Sequence, residues 1–131
     1  MSLAKHKVLV VDDELLIRDL LYDFFTGREC EIAVASSGQE ALQQLEQQSF
    51  DVILVDLKMP DIDGLDLAKA IRASGHTSPI ILITGYPSVE SAVEALRIRL
   101  YDYVTKPFNI NQLFHLVSRA AKEYREQGEK V

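Results

Sequence analysis

The chain has 131 residues, 47% hydrophobic and 26% charged, with a formal net charge of −6. That length carries one domain with a substantial core, and the acidic balance argues against a direct nucleic-acid binder, which needs a basic face. No apolar run approaches the ~20 residues of a membrane span, and the amino terminus lacks a signal-peptide pattern, so no membrane partner is expected.

Residues 1–5 read as a flexible start. The apolar run Lys7–Val11 predicts a first strand that ends on Asp12-Asp13-Glu14. Ile17, Leu20, Leu21 and Phe24 then recur at helical spacing. Cys30 is the one cysteine and has no internal disulfide partner, which fits a reducing cytoplasm. Glu31–Ala35 predicts a second strand. Ala41, Leu42 and Leu45 mark a second helix, opened by Ser37 and Glu40 at capping-box spacing.

The third strand, Val52–Val55, is β-branched and aliphatic without alternation, the pattern of a strand buried on both faces. It stops on Asp56. Pro60 and Asp61-Ile62-Asp63-Gly64 must then be loop. Leu67, Ala68 and Ile71 mark the third helix, and Ile80–Thr84 the fourth strand, followed by Gly85. Ser88 is a good N-cap for the fourth helix, whose Val89, Ala92, Val93 and Leu96 give the cleanest helical period in the chain. Tyr101–Thr105 predicts a fifth strand, ending at Lys106-Pro107. Leu113, Leu116, Val117, Ala120 and Tyr124 mark a fifth helix, opened by Asn109 and Gln112. Residues 127–131, in a charge-dense tail, read as flexible or linker.

Strict βα alternation predicts an α/β fold: a five-stranded parallel sheet, doubly wound with five helices in the flavodoxin-like manner. In the order 2-1-3-4-5, strands 1 and 3 are neighbours at the switch point, which gathers Asp12, Asp13 and Asp56 in one crevice. The alternation alone admits other orders.

Clustered carboxylates repel; two charges ~4 Å apart interact with about 4 kcal/mol at an effective dielectric of 20. Mg2+, held by one or two carboxylates, waters and phosphate oxygens, is the natural partner for such a crevice. Lys106 adds a positive charge from the neighbouring strand end, and Thr84 a hydroxyl. These groups describe a phosphoryl site with Asp56 as nucleophile. Each has an ordinary reading as well: acids before a helix suit its dipole, and Asp56 alone reads as a loop cap. Their joint appearance at four strand ends is what points to chemistry.

The segments Val8–Glu14, Asp56–Pro60 with Gly64, Thr84-Gly85 and Tyr101–Phe108 resemble the receiver domain of two-component response regulators. The resemblance covers nearly the whole chain. It implies Asp56 as phosphoacceptor, and Asp12, Asp13, Asp56 and the Lys58 backbone carbonyl as Mg2+ ligands. It also implies Lys106 as phosphoryl partner, Thr84 as switch hydroxyl, Tyr103 as switch aromatic, and a cis Lys106–Pro107 bond. One departure stands out: where the family has a Gly-Ala pair before the fifth strand, this chain has Arg99-Leu100.

The expected function is therefore a phosphorylatable signalling module of a phosphorelay, which catalyses only its own phosphorylation and dephosphorylation. Its expected partners are a histidine kinase or histidine phosphotransfer protein, a downstream effector domain or protein, and a second copy in a phosphorylation-dependent homodimer. The face of helix 4, strand 5 and helix 5 would carry the output. A phosphatase with an aspartate nucleophile usually has a second Asp two residues on, where this chain has Lys58. A flavin carrier needs a hydroxyl- and glycine-rich loop after strand 1, where Asp12-Asp13-Glu14 would repel phosphate. The intact set of acids, Thr84 and Lys106 argues against a receiver that never takes phosphate.

Overall fold

The computed structural model describes residues 5–129. Most of the expected flexible ends lie outside these residues; 127–129 belong to the last helix. The chain runs β1 (His6–Val11), α1 (Leu15–Thr26), β2 (Cys30–Ala35), α2 (Gly38–Gln47), β3 (Val52–Asp56), α3 (Gly64–Ala73), β4 (Ile80–Thr84), α4 (Val89–Arg97), β5 (Asp102–Thr105) and α5 (Ile110–Glu129). All strands pair in parallel in the order β2-β1-β3-β4-β5. Among the described residues no helix is long and apolar enough to cross a membrane.

Because side chains alternate along a strand, each strand feeds two cores. Leu9, Val11, Ile53, Val55, Ile80 and Leu82 meet Leu67 and Ile71 of α3 and Leu45 of α2 on one face. Val8, Val10, Val52, Leu54, Ile81 and Ile83 meet Leu21 and Phe25 of α1 and Leu113 and Val117 of α5 on the other. β3 and β4 are buried along their whole length, as uninterrupted apolar runs require.

Ser37, Ser88 and Asn109 cap the starts of α2, α4 and α5, and Asp63 caps α3. Ser37 accepts from the Glu40 N–H at 3.2 Å, Ser88 from Ser91 at 3.0 Å and Asn109 from Gln112 at 3.0 Å. At Ser37 the reciprocal half of the capping box is diverted, since the Glu40 carboxylate takes the Ser36 hydroxyl at 3.0 Å. A further cap reaches across the fold: Asp61 accepts from the N–H groups of Gly38 and Gln39 at 3.1 and 3.0 Å, tying the β3–α3 loop to the start of α2. Those bonds hold its carboxyl below the usual carboxylate range.

The apolar stripe of α4 does not face the core. Val89 and Leu96 are 80% and 77% exposed, and Ser91 and Ala95 form the buried side instead. In α1 the exposed Leu20 likewise gives way to Phe25. Periodicity locates a face on a helix but not the direction in which it points.

α4 ends in a Schellman motif, with Leu100 N–H on Ala95 O at 3.0 Å and Arg99 N–H on Leu96 O at 3.1 Å. The motif needs a left-handed residue, and Arg99 supplies it at φ 58°. A side chain there crowds the following carbonyl, which glycine does not. Arg99→Gly is accordingly expected to stabilise the chain by roughly 1 kcal/mol, seen as a higher urea midpoint with unchanged slope.

Candidate functional site

Parallel register brings four strand ends level, with Val11 beside Val55, Asp56 beside Ile83 and Thr84 beside Thr105. Asp12 follows β1 directly and is 3% exposed; Asp56, the last residue of β3, is 5% exposed. Asp13 lies beside them, open to solvent. One carboxylate oxygen from each of Asp12, Asp13 and Asp56 lies within 4.8 Å of the other two. Three convergent anionic oxygens are the donor chemistry a hard divalent cation takes.

The half-buried Lys106 ammonium sits 3.0 Å from Asp12 Oδ2 and 3.5 Å from Asp56 Oδ2. The resemblance implies the Lys58 backbone carbonyl as a further ligand; the Lys58 side chain is exposed and its N–H donates to Asp56 Oδ1 at 3.4 Å. The Lys106–Pro107 peptide is cis. Gly64 permits the loop after Asp56 to fold back, because a Cβ there would overlap the Asp56 carbonyl oxygen and lie 2.8 Å from Leu57 Cα. The Gly64 N–H closes that loop on Leu57 O at 2.8 Å.

Burial pushes the Asp56 carboxyl up to about 7, and the negative charge of Asp12 adds to it; Lys106, the Lys58 N–H and Asp13 modify the result. Burial acts against the Lys106 ammonium too. Its hydrogen bonds to Glu14 and Asp12, and the charges of Asp12 and Asp56, outweigh that and raise its pKa.

Thr84, fully buried at the end of β4, accepts the Tyr86 N–H at 2.9 Å. Tyr103 is not at the acidic cluster. Its hydroxyl reaches the start of α4, 2.6 Å from Ser91 Oγ, and accepts the Ser88 N–H at 3.2 Å.

Three participants are absent from the sequence-predicted set. Glu14 holds Lys106 Nζ at 2.9 Å; its place beside two acids was the available signal. Arg18 Nη1 donates to the Asp12 carbonyl at 2.6 Å, bracing the acidic turn from α1. Ser91 stands three residues after an N-cap serine, and its link to β5 is tertiary, with no trace in local pattern.

A family model described as "Response regulator receiver domain" matches residues 8–118. The regulatory protein AtoC of Escherichia coli is 40% identical over 117 residues, 89% of this chain and 25% of AtoC. The transcriptional regulatory protein ZraR of Salmonella typhimurium is 35% identical over 128 residues, 98% of this chain and 29% of ZraR. The chain thus spans about a quarter of these curated relatives. Among solved structures, the receiver domain of a Francisella response regulator superposes with a TM-score of 0.85 at 34% identity, covering 91% of this chain and 98% of that one.

Asp56 is ionised at little cost in the unfolded chain and at high cost in the folded one. Its folded value of about 7 lies above the unfolded 3.8. A proton on Asp56 therefore favours the fold fully below roughly pH 4, and that contribution is lost as pH rises through about 7. In the presence of a chelator, Asp56→Asn should exceed wild type in stability at pH 8 by roughly 1–3 kcal/mol, the two converging near pH 4 in urea titrations.

Proposed function

Because the chain belongs to the response regulator receiver domain family, we propose that it takes a phosphoryl group on Asp56 from a phosphohistidine and passes that event to a partner or attached effector. The observation that carries this reading is the Lys106 ammonium lodged between Asp12 and Asp56, at 3.0 and 3.5 Å, beside the convergent oxygens of Asp12, Asp13 and Asp56. A positive group already in place beside the nucleophile is what a transferring phosphoryl group needs.

In the proposed transfer, an Asp56 carboxylate oxygen bonds to phosphorus as the bond from phosphorus to the donor imidazole nitrogen breaks. The electron pair departs with the imidazole, which takes up a proton. Lys106 pairs with the phosphoryl oxygens. Thr84 accepts the Tyr86 N–H, which leaves its own hydroxyl proton to donate to a phosphoryl oxygen. Loss of phosphate follows attack by water on phosphorus, which restores the carboxylate. The chain acts on no other substrate in this reading.

Asp12, Asp13, Asp56 and the Lys58 backbone carbonyl would hold Mg2+. When bound, the cation supplies positive charge that favours ionised Asp56 and offsets charge on the phosphoryl oxygens. The partners are a histidine kinase or histidine phosphotransfer protein on one side and an effector on the other, in the cytoplasm, with Tyr103 and the α4–β5–α5 face carrying the output. A net charge of −6 gives this domain itself no reason to hold nucleic acid.

Incubation with acetyl phosphate and Mg2+ should add one acid-stable, base-labile phosphoryl group by intact mass, absent in Asp56→Asn. Equal labelling of that variant would overturn the assignment. Mg2+ should also raise the melting temperature more than sodium at matched ionic strength, since it binds the folded acidic cluster. Asp13→Ala should remove most of that difference while remaining folded.

A further inference from the structure

We propose that Ser91 is a positioning residue that couples Tyr103 to the first turn of α4, so that the phenol is part of the cap of that helix. The consequence for signalling rests on the receiver reading above. The coupling itself rests on geometry alone.

Ser91 and Tyr103 lie on different elements, yet their hydroxyl oxygens are 2.6 Å apart. Ser91 is 8% exposed, an uncommon place for a serine with no role. Around it every polar group is engaged. Ser88 Oγ accepts the Ser91 N–H at 3.0 Å and donates to Ser91 Oγ at 2.9 Å. Ser91 Oγ reaches the Ser88 carbonyl at 3.2 Å, and Tyr103 accepts the Ser88 N–H at 3.2 Å. One arrangement satisfies all of them: Ser88 N–H to Tyr103, Tyr103 O–H to Ser91, and Ser91 O–H to the Ser88 carbonyl. Tyr103 thereby satisfies an N–H at the α4 start that the N-cap side chain does not reach.

α4 has little else to hold that end. Val89 is 80% exposed and Ser91 is the one buried residue of its first turn; Ala95 and the Lys69–Glu94 pair, at 2.9 Å, hold the helix further along. Tyr103 also packs against the core cluster of Leu82 and Val55. If the ring leaves, the Ser88 N–H loses its acceptor and the Ser91 hydroxyl loses a partner. The start of α4 then loosens without any change to the sheet. Thr84, four residues before Ser88, carries the Tyr86 N–H, so the short connection between hydroxyl and cap is itself anchored at both ends.

The test has two arms on the full chain. In the first, amide exchange at Ser88, Ser91 and Ala92 is followed by NMR in wild type, Tyr103→Phe, Ser91→Ala and the double variant. Each single change should speed exchange about fivefold, as loss of one neutral hydrogen bond does. The double variant should exceed neither single by much, and Ser91→Thr, which keeps the hydroxyl, should restore wild-type rates. Multiplicative effects in the double variant, or no rescue by Ser91→Thr, would overturn the coupling. In the second arm, acetyl phosphate and Mg2+ should label Ser91→Ala to the wild-type extent, with amide shifts near residue 56 retained and those of α4 cut to less than half. Wild-type shifts in α4 would sink the proposed route. If wild type takes no label, the receiver reading fails, and the exchange cycle alone decides the role of Ser91.

Discussion

Like charges crowd the carboxyl edge of the sheet: Asp12, Glu14 and Asp56 surround the ammonium of Lys106, and Asp13 converges on Asp12 and Asp56. In water such a group would disperse. Here the backbone forbids it, because Asp12 and Asp56 are continuations of β1 and β3, adjacent strands with a fixed register. The apolar runs that hold those strands between two layers of helices therefore also hold the charges together. Hydrophobic burial across both faces opposes a local electrostatic cost, and the cost is concentrated where a cation or a new phosphoryl group would relieve or redirect it.

That division explains what could be read in the sequence. Val52–Val55 and Ile80–Thr84 are legible because a strand buried on both faces has no room for polar alternation. Asp56 is legible because a carboxylate directly after such a run has to sit at the sheet edge. β5 is harder: Tyr103 and Val104 are half-buried while Asp102 and Thr105 are exposed, so no burial period marks it, and its start at Asp102 and not Tyr101 is a matter of pairing with Ile81. The outward stripe of α4 could not be read at all, since the spacing of Val89, Val93 and Leu96 is the same whether a helix faces core or solvent. Arg18 and Ser91 join the site or its surroundings through contacts that neither composition nor period records, while Glu14 had its place beside two acids to mark it.

Two hydroxyls stand on the neighbouring strands β4 and β5. Thr84 is buried near the carboxylates, and Tyr103 extends away from them to the start of α4. Neighbouring strands in register make this possible: Leu82 stands beside Tyr103 and Thr84 beside Thr105. The buried hydroxyl that ends β4 and the hydroxyl that contacts the outer helix are thus two residues apart in register, on strands that cannot slide without exposing their apolar faces.

The far end of α5 adds a mechanical consequence. Its 20 residues span about 30 Å, longer than any strand of the sheet. Past the sheet edge, Arg125 grips the Asp51 carboxylate at 2.8 Å and the Lys5 carbonyl at 2.6 Å, while Asp51 also takes the Lys7 N–H at 2.8 Å. Tyr124 meets Thr77 at 3.2 Å, and the Tyr101 hydroxyl donates to Glu123 at 2.8 Å. Through these bonds α5 is fastened to the entrances of β1 and β3 at its far end, as well as through Leu113 and Val117 in the core. α4 is fastened differently, by the Ser91–Tyr103 contact to β5 and the Lys69–Glu94 pair to α3 at 2.9 Å, with Val89 and Leu96 left exposed.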